Sequence, residues 1–285
     1  MLIIITSSEK TGPKYRRKLN KEQFAVLRLL YRFRFASSAQ VAKYQQKPHS
    51  KSIQNRLKIL EDQGYIAKRY DKSYKLRGKP AAYYLLPYGA RAVLSAENIN
   101  TASPLFVVHL YKAKHVSEDF IQHCLNIVNV FLALHELYGN RLTFFSKIDL
   151  KSQELEDLPQ PLPDAYFYIE SAEERKEYFL NIFADSQPFF VLVRRIKKYL
   201  EYAGSSERPA TTLPTVLMIV ENSSIHKRLR KRLTKEVRSS YEEVEFATTI
   251  LGNLFTSNSL GKVWLPIDET LDSFEDRKAV RLEDL

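Results

Sequence analysis

The sequence predicts an α/β (α+β) protein in which a helical part with a β-hairpin precedes a larger part where helices alternate with strands. Within residues 20–97, apolar residues recur at the helical period in three segments, and two β-prone segments follow. The chain has 285 residues, 44% of them hydrophobic, which is enough for two domains with separate cores. Residues 1–115 contain 23 Lys and Arg against 6 Asp and Glu, whereas the remaining residues contain 21 against 27. The basic surplus therefore belongs to the N-terminal part.

The first two helices are identified by their caps and their apolar stripes. Asn20 is a suitable N-cap for a first helix. Its apolar stripe is formed by Phe24, Leu27, Leu30 and Tyr31. Ser37 and Ser38 are suitable caps for a short second helix over residues 39–46, which Pro48 ends.

The third helix divides clearly into an apolar and a polar face. Ser50 is its expected N-cap. Ile53, Leu57 and Leu60 recur at i, i+4 and i+7, which places them on one side. Gly64 closes the helix, since glycine tolerates the left-handed conformation found at helix ends. The outward face carries short polar and basic side chains, namely Lys51, Ser52, Gln54, Asn55 and Lys58.

A basic hairpin follows the third helix. Strands are expected over residues 65–70 and 81–86, joined by a turn rich in Lys and Arg. Residues 87–89 are expected to form a turn into a final helix over residues 90–96. The cations of the hairpin are Lys68, Arg69, Lys72, Lys75, Arg77 and Lys79.

Three helices followed by a hairpin are in the order of a winged helix-turn-helix. In that fold the third helix enters the major groove of double-stranded DNA and the wing lies along the phosphate backbone. The outward residues of the third helix are therefore predicted to contact base edges, and the hairpin cations to hold phosphates. Two alternatives stay open at this point, a solvated basic surface and a small α/β domain that contacts proteins.

Three segments lie outside the two predicted domains. Residues 1–19 form a basic arm that either tracks phosphates or is disordered. Residues 98–115 are expected to be a linker that includes a short strand over residues 105–111. Residues 268–285 are charged and show no period, so they are expected to form a loosely ordered tail.

The second domain is predicted over residues 116–267. Ser117 is the expected cap of a long helix that runs to Leu137 with a sustained helical period. The later elements are strands over 142–148, 165–169 and 178–183, a helix over 189–202, a strand over 215–220, a basic helix over 226–238, a strand over 245–250 and a short helix over 251–257. This order of helix, three strands, helix, strand, helix and strand is that of a restriction-endonuclease-like core.

With these elements in place, the chain resembles the replication-relaxation family over nearly its full length. The segments that carry the resemblance are YYLLPYGARAVL, HCLNIVNVFLAL, Pro163-Asp164-Ala165, and YFLNIFADSQPF followed by RRIKKYLEY. The resemblance implies a winged helix joined to a nuclease-like core, in a protein of plasmid or mobile-element replication or conjugative DNA relaxation. It also makes a relaxase or a replication initiator a candidate partner.

A nuclease of this fold needs a carboxylate at the end of the second strand and an acid-x-Lys sequence on the third. The acids hold a divalent ion and the lysine helps to position the attacking water. Asp164 matches the first position, but Asn181 and Phe183 stand at the other two. A single carboxylate holds Mg²⁺ poorly, because the ion needs a near-octahedral set of oxygens. The sequence therefore predicts no catalysis, and Asp164, directly after a proline, is interpreted as a turn cap.

Two other functions are kept as alternatives. A metal-dependent endonuclease with a rearranged site would use Asp164 and Asp185. The cation of that site would come from the following helix, which offers Arg194, Arg195, Lys197 and Lys198. A winged-helix transcription regulator would sense a ligand in the second domain. The basic helix over residues 226–238 is either a second contact to DNA or a solvated face.

Other classes of protein lack their motifs in this sequence. It has no Gly-rich phosphate loop and no G-x-S-x-G elbow, and its six histidines show no metal spacing, so no cofactor or metal is expected. A single cysteine, Cys124, excludes an internal disulfide framework and favours a reducing compartment, the cytoplasm by default. The start MLIIITSSEK resembles no signal peptide, and no membrane span is expected.

Overall fold

The computed structural model describes residues 18–70, 72–97, 112–152, 158–172, 174–205, 213–256, 261–267 and 278–285. The chain forms two compact units, Met1–Tyr31 with Ser37–Lys114, and Arg32–Ala36 with His115–Leu285. Nearly all of the predicted basic arm and residues 98–111 of the predicted linker lie outside the described residues. Both therefore stay predictions.

The N-terminal part of the chain contains the three predicted helices, α1 (Lys21–Phe33), α2 (Ser38–Tyr44) and α3 (Lys51–Asp62). The Asn20 side chain accepts a hydrogen bond from the backbone N–H of Gln23 at 2.8 Å, which caps α1. Ser37 and Gln40 form a reciprocal capping box at the start of α2. The caps Asn20 and Ser37 are confirmed. Ser50 precedes α3 as predicted, but its side chain makes no capping bond.

The hairpin lies in a three-stranded sheet of order β1-β3-β2, formed by β1 (Phe35–Ser37), β2 (Ile66–Arg69) and β3 (Ala82–Leu85). β2 and β3 pair antiparallel, with Ile66 opposite Leu85. The predicted turn between them is a helix instead, α4 (Lys72–Leu76). Tyr74 is only 3% exposed, and its burial holds this segment in a helical turn.

The helix after the hairpin, α5 (Pro87–Ala96), begins three residues earlier than predicted. Pro87 lies in its first turn, where the missing N–H of proline costs nothing, so Pro87 starts the helix and does not form a turn before it. Gly89 permits α5 to approach the start of the wing. A Cβ at this position would lie 2.2 Å from the carbonyl oxygen of Tyr65.

The second unit is built on a six-stranded sheet of order β4-β5-β6-β7-β8-β9. Its strands are β4 (Leu142–Ser146), β5 (Ala165–Glu170), β6 (Arg175–Phe183), β7 (Thr215–Val220), β8 (Phe246–Ile250) and β9 (Leu265–Pro266). Its α-helices are α6 (Glu118–Tyr138), α7 (Lys147–Ser152), α8 (Phe189–Ala203) and α9 (Ser223–Arg238). β4, β5 and β6 run antiparallel, β6, β7 and β8 run parallel, and β9 is antiparallel to β8. The α/β class and the predicted order of helix, three strands, helix, strand, helix and strand are confirmed, with α7 as an additional short helix between β4 and β5.

Two element predictions of the second unit need correction. β4 stops at Ser146, and Ile148 lies in α7, because Ser146 and Asp149 cap this helix reciprocally. The backbone N–H of Ser146 donates to Asp149 at 2.7 Å, and that of Asp149 to the Ser146 hydroxyl at 3.3 Å. The expected short helix over residues 251–257 is a 3₁₀ helix, Leu251–Phe255.

The charge of residues 268–285 predicted a loosely ordered tail, but the described part, residues 278–285, is docked on the second unit. Residues 268–277 lie outside the described residues, so their part of the prediction stays untested. Val280 forms a β-bridge with Trp264, and Leu282 is fully buried. The Tyr178 hydroxyl donates to the carbonyl of Leu282 at 2.7 Å. Apolar residues at two positions of a charged segment thus suffice to dock it on the second unit.

Part of the core of the second unit lies between the sheet and the helices α8 and α9. Ser117 caps α6 as predicted, accepting from the N–H of Phe120 at 3.2 Å. By length and composition alone, the segment Glu118–Arg141, which contains α6, could cross a membrane. More than half of its apolar window is buried within the protein, as in a core helix.

Candidate functional site

The outward face of α3 is the first candidate surface. Ile53, Leu57 and Leu60 are at most 1% exposed and attach the inner face of α3 to the core of the first unit. The residues predicted to contact bases are all exposed, namely Lys51, Ser52, Gln54, Asn55 and Lys58. The helix ends as predicted at Gly64, whose φ is +73°. One helical face is therefore free to meet the edges of bases.

An ion-pair network holds α3 in place, and the sequence analysis missed it. The guanidinium of Arg56 donates to the carboxylate of Glu22 in α1 and to the side-chain oxygen of Gln45, which follows α2. The Gln45 amide donates in turn to the Glu22 carbonyl at 2.7 Å. Arg56 lies at i+3 from Ile53, on the flank of the apolar stripe. That position could have indicated that Arg56 contacts the neighbouring helices.

A second network orders the start of α3. Nε2 of His49 lies 2.9 Å from the Ser38 hydroxyl, and the side-chain nitrogen of Gln54 lies 3.1 Å from the same Nε2. Gln54 is thus exposed but restrained. Its amide is held near the N-terminal end of α3, the part of a recognition helix that contacts bases.

The wing, residues 66–85, carries the predicted phosphate-binding cations in unequal environments. Lys75 and Arg77 are exposed at its tip, and Lys79 is partly buried. The Lys68 ammonium lies 2.9 Å from the Glu61 carboxylate, and that hydrogen bond raises the pKa of Lys68. Arg69 donates to the carbonyl of Lys114 at 2.8 Å. Lys72 begins α4, and its side chain lies outside the described residues, so its role stays a prediction.

Asp164 is the centre of a partly buried polar group in the second unit. One carboxylate oxygen lies 3.0 Å from Nε2 of His123 in α6, and the other accepts from the N–H of Ile182 in β6 at 2.9 Å. Burial alone would raise the pKa of Asp164, but the hydrogen bond and charge of His123 hold it below the usual value. Burial alone would lower the pKa of His123, but Asp164 raises it. The turn-cap prediction for Asp164 is wrong, because its partners lie on α6 and β6.

Asn181, at the position of the missing acid, is 2% exposed and belongs to a second polar group. Its side-chain oxygen accepts from Nε of Arg195 at 2.7 Å, and its nitrogen donates to the Tyr199 hydroxyl at 3.0 Å. Arg195 also donates to the carbonyl of Pro161, and its guanidinium lies 5.0 Å from the ring centre of Tyr199. A fixed positive charge thus lies beside the residue that stands where the second acid of a nuclease is expected from the sequence.

The four cations offered by α8 differ in position. Arg195 is 9% exposed and faces Asn181. Arg194, Lys197 and Lys198 are exposed, and Lys198 pairs with Glu201 at 2.6 Å. Phe183, at the position of the missing lysine, is 7% exposed and belongs to the apolar core around α8 and α9.

Asp185, the second acid of the nuclease alternative, lies in a different polar group. Its backbone N–H donates to the Glu221 carboxylate at 2.9 Å, and Glu221 accepts from the Asn126 amide at 3.1 Å. The sequence analysis missed Glu221, although a polar residue directly after a buried parallel strand was a usable signal. Within the part of the chain that the structure describes, no three His, Cys, Asp or Glu residues are grouped to hold a metal ion.

The basic helix α9 is only partly a solvated face. Lys227, Arg228, Lys231, Lys235 and Arg238 are exposed. Arg230 is 4% exposed and donates to the Thr248 hydroxyl at 3.2 Å and to the Leu265 carbonyl at 3.1 Å. Burial lowers the pKa of His226 to about 4, and its Nε2 lies 2.9 Å from the same hydroxyl. Two of its basic residues therefore anchor the helix to the sheet edge.

Comparison with known proteins gives one family. The family model described as replication-relaxation matches residues 27–217, about two thirds of the chain. No curated protein matches the chain.

Solved structures resemble the chain at low identity. A mutant of Lactococcus lactis ZitR in apo form is 14% identical, covers 41% of this chain and 81% of its own, and has a TM-score of 0.24. The restriction endonuclease FokI bound to DNA is 10% identical, covers 82% and 43%, and has a TM-score of 0.29. FokI without DNA is 12% identical, covers 82% and 42%, and has a TM-score of 0.30.

Proposed function

The chain belongs to the replication-relaxation family, and on this premise we propose that it is a sequence-specific binder of double-stranded DNA. It would act in replication or conjugative DNA relaxation of a plasmid or related mobile element, in the cytoplasm, with a relaxase or replication initiator as candidate partner. The single observation that carries the proposal is the division of α3 into a buried apolar face and an exposed polar face. Its apolar residues are buried while every residue predicted to contact bases is exposed.

The fixed position of α3 supports sequence-specific recognition of DNA, and not only a non-specific attraction to it. Reading base edges requires donors and acceptors at set positions, because each bidentate contact depends on geometry. Arg56, bound to Glu22 and Gln45, and the restrained side chain of Gln54 supply such a frame. The wing cations add an attraction that does not depend on sequence.

The centre of the second unit supports a role without catalysis. Asn181 is a neutral amide, and the guanidinium of Arg195 is hydrogen-bonded to it. Because a fixed positive charge repels Mg²⁺, this pair cannot replace the acid and lysine of a nuclease. Asp164 alone is left, and it already accepts from His123 and Ile182. We infer that the nuclease-like core serves as a scaffold or a partner surface.

Binding to DNA should weaken steeply with salt. If the six predicted wing cations neutralise about six phosphates, log K should fall with log salt at a slope of roughly −5. Because Lys68 already pairs with Glu61, a slope of about −4 to −5 is the expected range. Fluorescence anisotropy of a labelled duplex across a salt series measures it. A slope near zero would contradict the proposal that the wing cations bind phosphates.

Supercoiled plasmid should stay supercoiled when it is incubated with the purified protein and Mg²⁺ or Mn²⁺. The physical reason is that Asn181 stands where the metal-binding acid is expected and accepts a hydrogen bond from the guanidinium of Arg195. Agarose gels of the plasmid provide the measurement, and Asp164→Ala is the matched control. Nicking by the wild type that Asp164→Ala abolishes would establish an endonuclease instead, whereas nicking by both proteins would indicate a contaminating enzyme.

A further inference from the structure

Leu76, at the tip of the wing, is the most exposed large apolar side chain among the described residues of the first unit. It is 87% exposed, against 48% for Tyr70 and 43% for Ile59. A side chain that projects almost wholly into water contributes little to the folded state of its own unit. Its apolar surface is therefore available to something outside the chain.

The tip holds Leu76 in a fixed position. Tyr74 is buried and anchors α4, and the Lys79 N–H donates to the Tyr74 carbonyl at 2.9 Å. The N–H of Arg77 donates to the Ser73 carbonyl at 3.1 Å, and the Arg77 guanidinium reaches the Ser73 hydroxyl at 2.8 Å. Gly78 then turns the chain with a φ of +63°. The backbone on both sides of Leu76 is therefore held by hydrogen bonds within the tip.

The neighbours of Leu76 favour a polyanion as its partner. Lys75 precedes it and Arg77 follows it, and both are exposed. An apolar pocket on a protein would not need two flanking cations, whereas the groove of a duplex offers phosphates on both sides of stacked bases. Proteins that bind the minor groove insert leucine and similar side chains between base pairs, which unstacks the step and kinks the duplex.

We propose that Leu76 is a wedge that enters the minor groove of the bound duplex, partly unstacks one base step and bends the DNA. Lys75 and Arg77 hold the phosphates on either side of that step. This inference rests on the proposed function, since it assigns a second activity, DNA bending, to the same DNA-binding unit. Bent and locally unstacked DNA is easier to open, which suits a protein that acts at the start of replication or relaxation.

The test uses the full-length protein and a duplex that it selects from a random pool. Energy transfer between dyes on the two duplex ends measures bending, and 2-aminopurine near the wing contact brightens when a step unstacks. The wild type is expected to bend the duplex by about 20–90°. Leu76→Ala should lose most of the bend and of the brightening and keep the salt slope, while Leu76→Met should retain both signals.

Lys75→Ala is the matched control, because it should weaken binding and still bend the DNA when protein is saturating. Leu76 is exposed, so its replacement does not threaten folding. The wedge is overturned if the wild type binds the duplex without bending it, or if Leu76→Ala bends it as the wild type does. Either result leaves the proposed function intact. Failure of the wild type to bind any duplex would overturn the proposed function together with the wedge.

Discussion

Asn55→Ala is expected to cost about 1–3 kcal/mol of binding free energy on the selected DNA site and almost nothing on random DNA. Asparagine can pair with both the N6 and N7 positions of an adenine edge, and this pair of bonds carries the discrimination. Asn55 is exposed on the outward face of α3, so the substitution removes the amide without disturbing the core. Competition binding with specific and random duplexes measures the difference.

Lys75→Ala is the matched variant, since it removes a cation from the wing and no base contact. It should weaken binding to both duplexes alike and reduce the salt slope by about one. Because Lys75 is exposed, both variants should melt at the wild-type temperature. If Asn55→Ala lowers affinity equally on both duplexes, as Lys75→Ala does, α3 holds the backbone and another element reads the bases.

Local patterns predicted the helices of the first unit well. The spacing of Ile53, Leu57 and Leu60 already decides which residues of α3 are exposed, because a helix repeats every 3.6 residues. The Asn20 and Ser37 caps depend on residues three positions away, and Gly64 on its own backbone angle. Interactions that short are visible in a single sequence.

Structure that depends on distant residues was not predicted. α4 has only five residues, too few to show a period, and the burial of Tyr74 depends on how the wing packs. Asp164 finds His123 and Ile182, which are 41 and 18 positions away, where a local pattern suggested a turn. The docked C-terminus likewise depends on Tyr178, far upstream in the chain.

The polar residues at the centre of the second unit were predicted only in part. The sequence identified Asn181 and Phe183 as departures from a nuclease, and it offered four cations without choosing among them. Arg195 lies at i+3 from the buried Leu192, so the helical period could have selected it. Its partner could not be read from the sequence, because the contact joins α8 to β6. Because of that contact, Asn181, which stands where the acid is expected, has a structural role as the hydrogen-bond partner of Arg195.

Arg195→Met is expected to lower the free energy of unfolding of the second unit by about 3 kcal/mol. Methionine is of similar length and leaves little cavity, so the loss comes from hydrogen bonds. The side-chain oxygen of Asn181 loses its Arg195 donor and keeps only the Tyr199 hydroxyl, at 3.2 Å, while the carbonyl of Pro161 also loses its Arg195 donor. A hydrogen bond to a charged group contributes about 1.5–3 kcal/mol. Denaturant unfolding followed by circular dichroism gives the difference.

The neighbouring Arg194→Met is the control, because Arg194 is exposed and its replacement should change stability by at most about 0.5 kcal/mol. The double variant Asn181→Leu with Arg195→Met removes the Asn181 acceptor as well as its donor, and it should recover part of the loss. Such recovery is the sign of a paired, desolvated interaction, since two unrelated losses would add. If Arg195→Met unfolds at the same denaturant concentration as Arg194→Met, the guanidinium does not hold Asn181, and the argument against a metal ion at this position loses its basis.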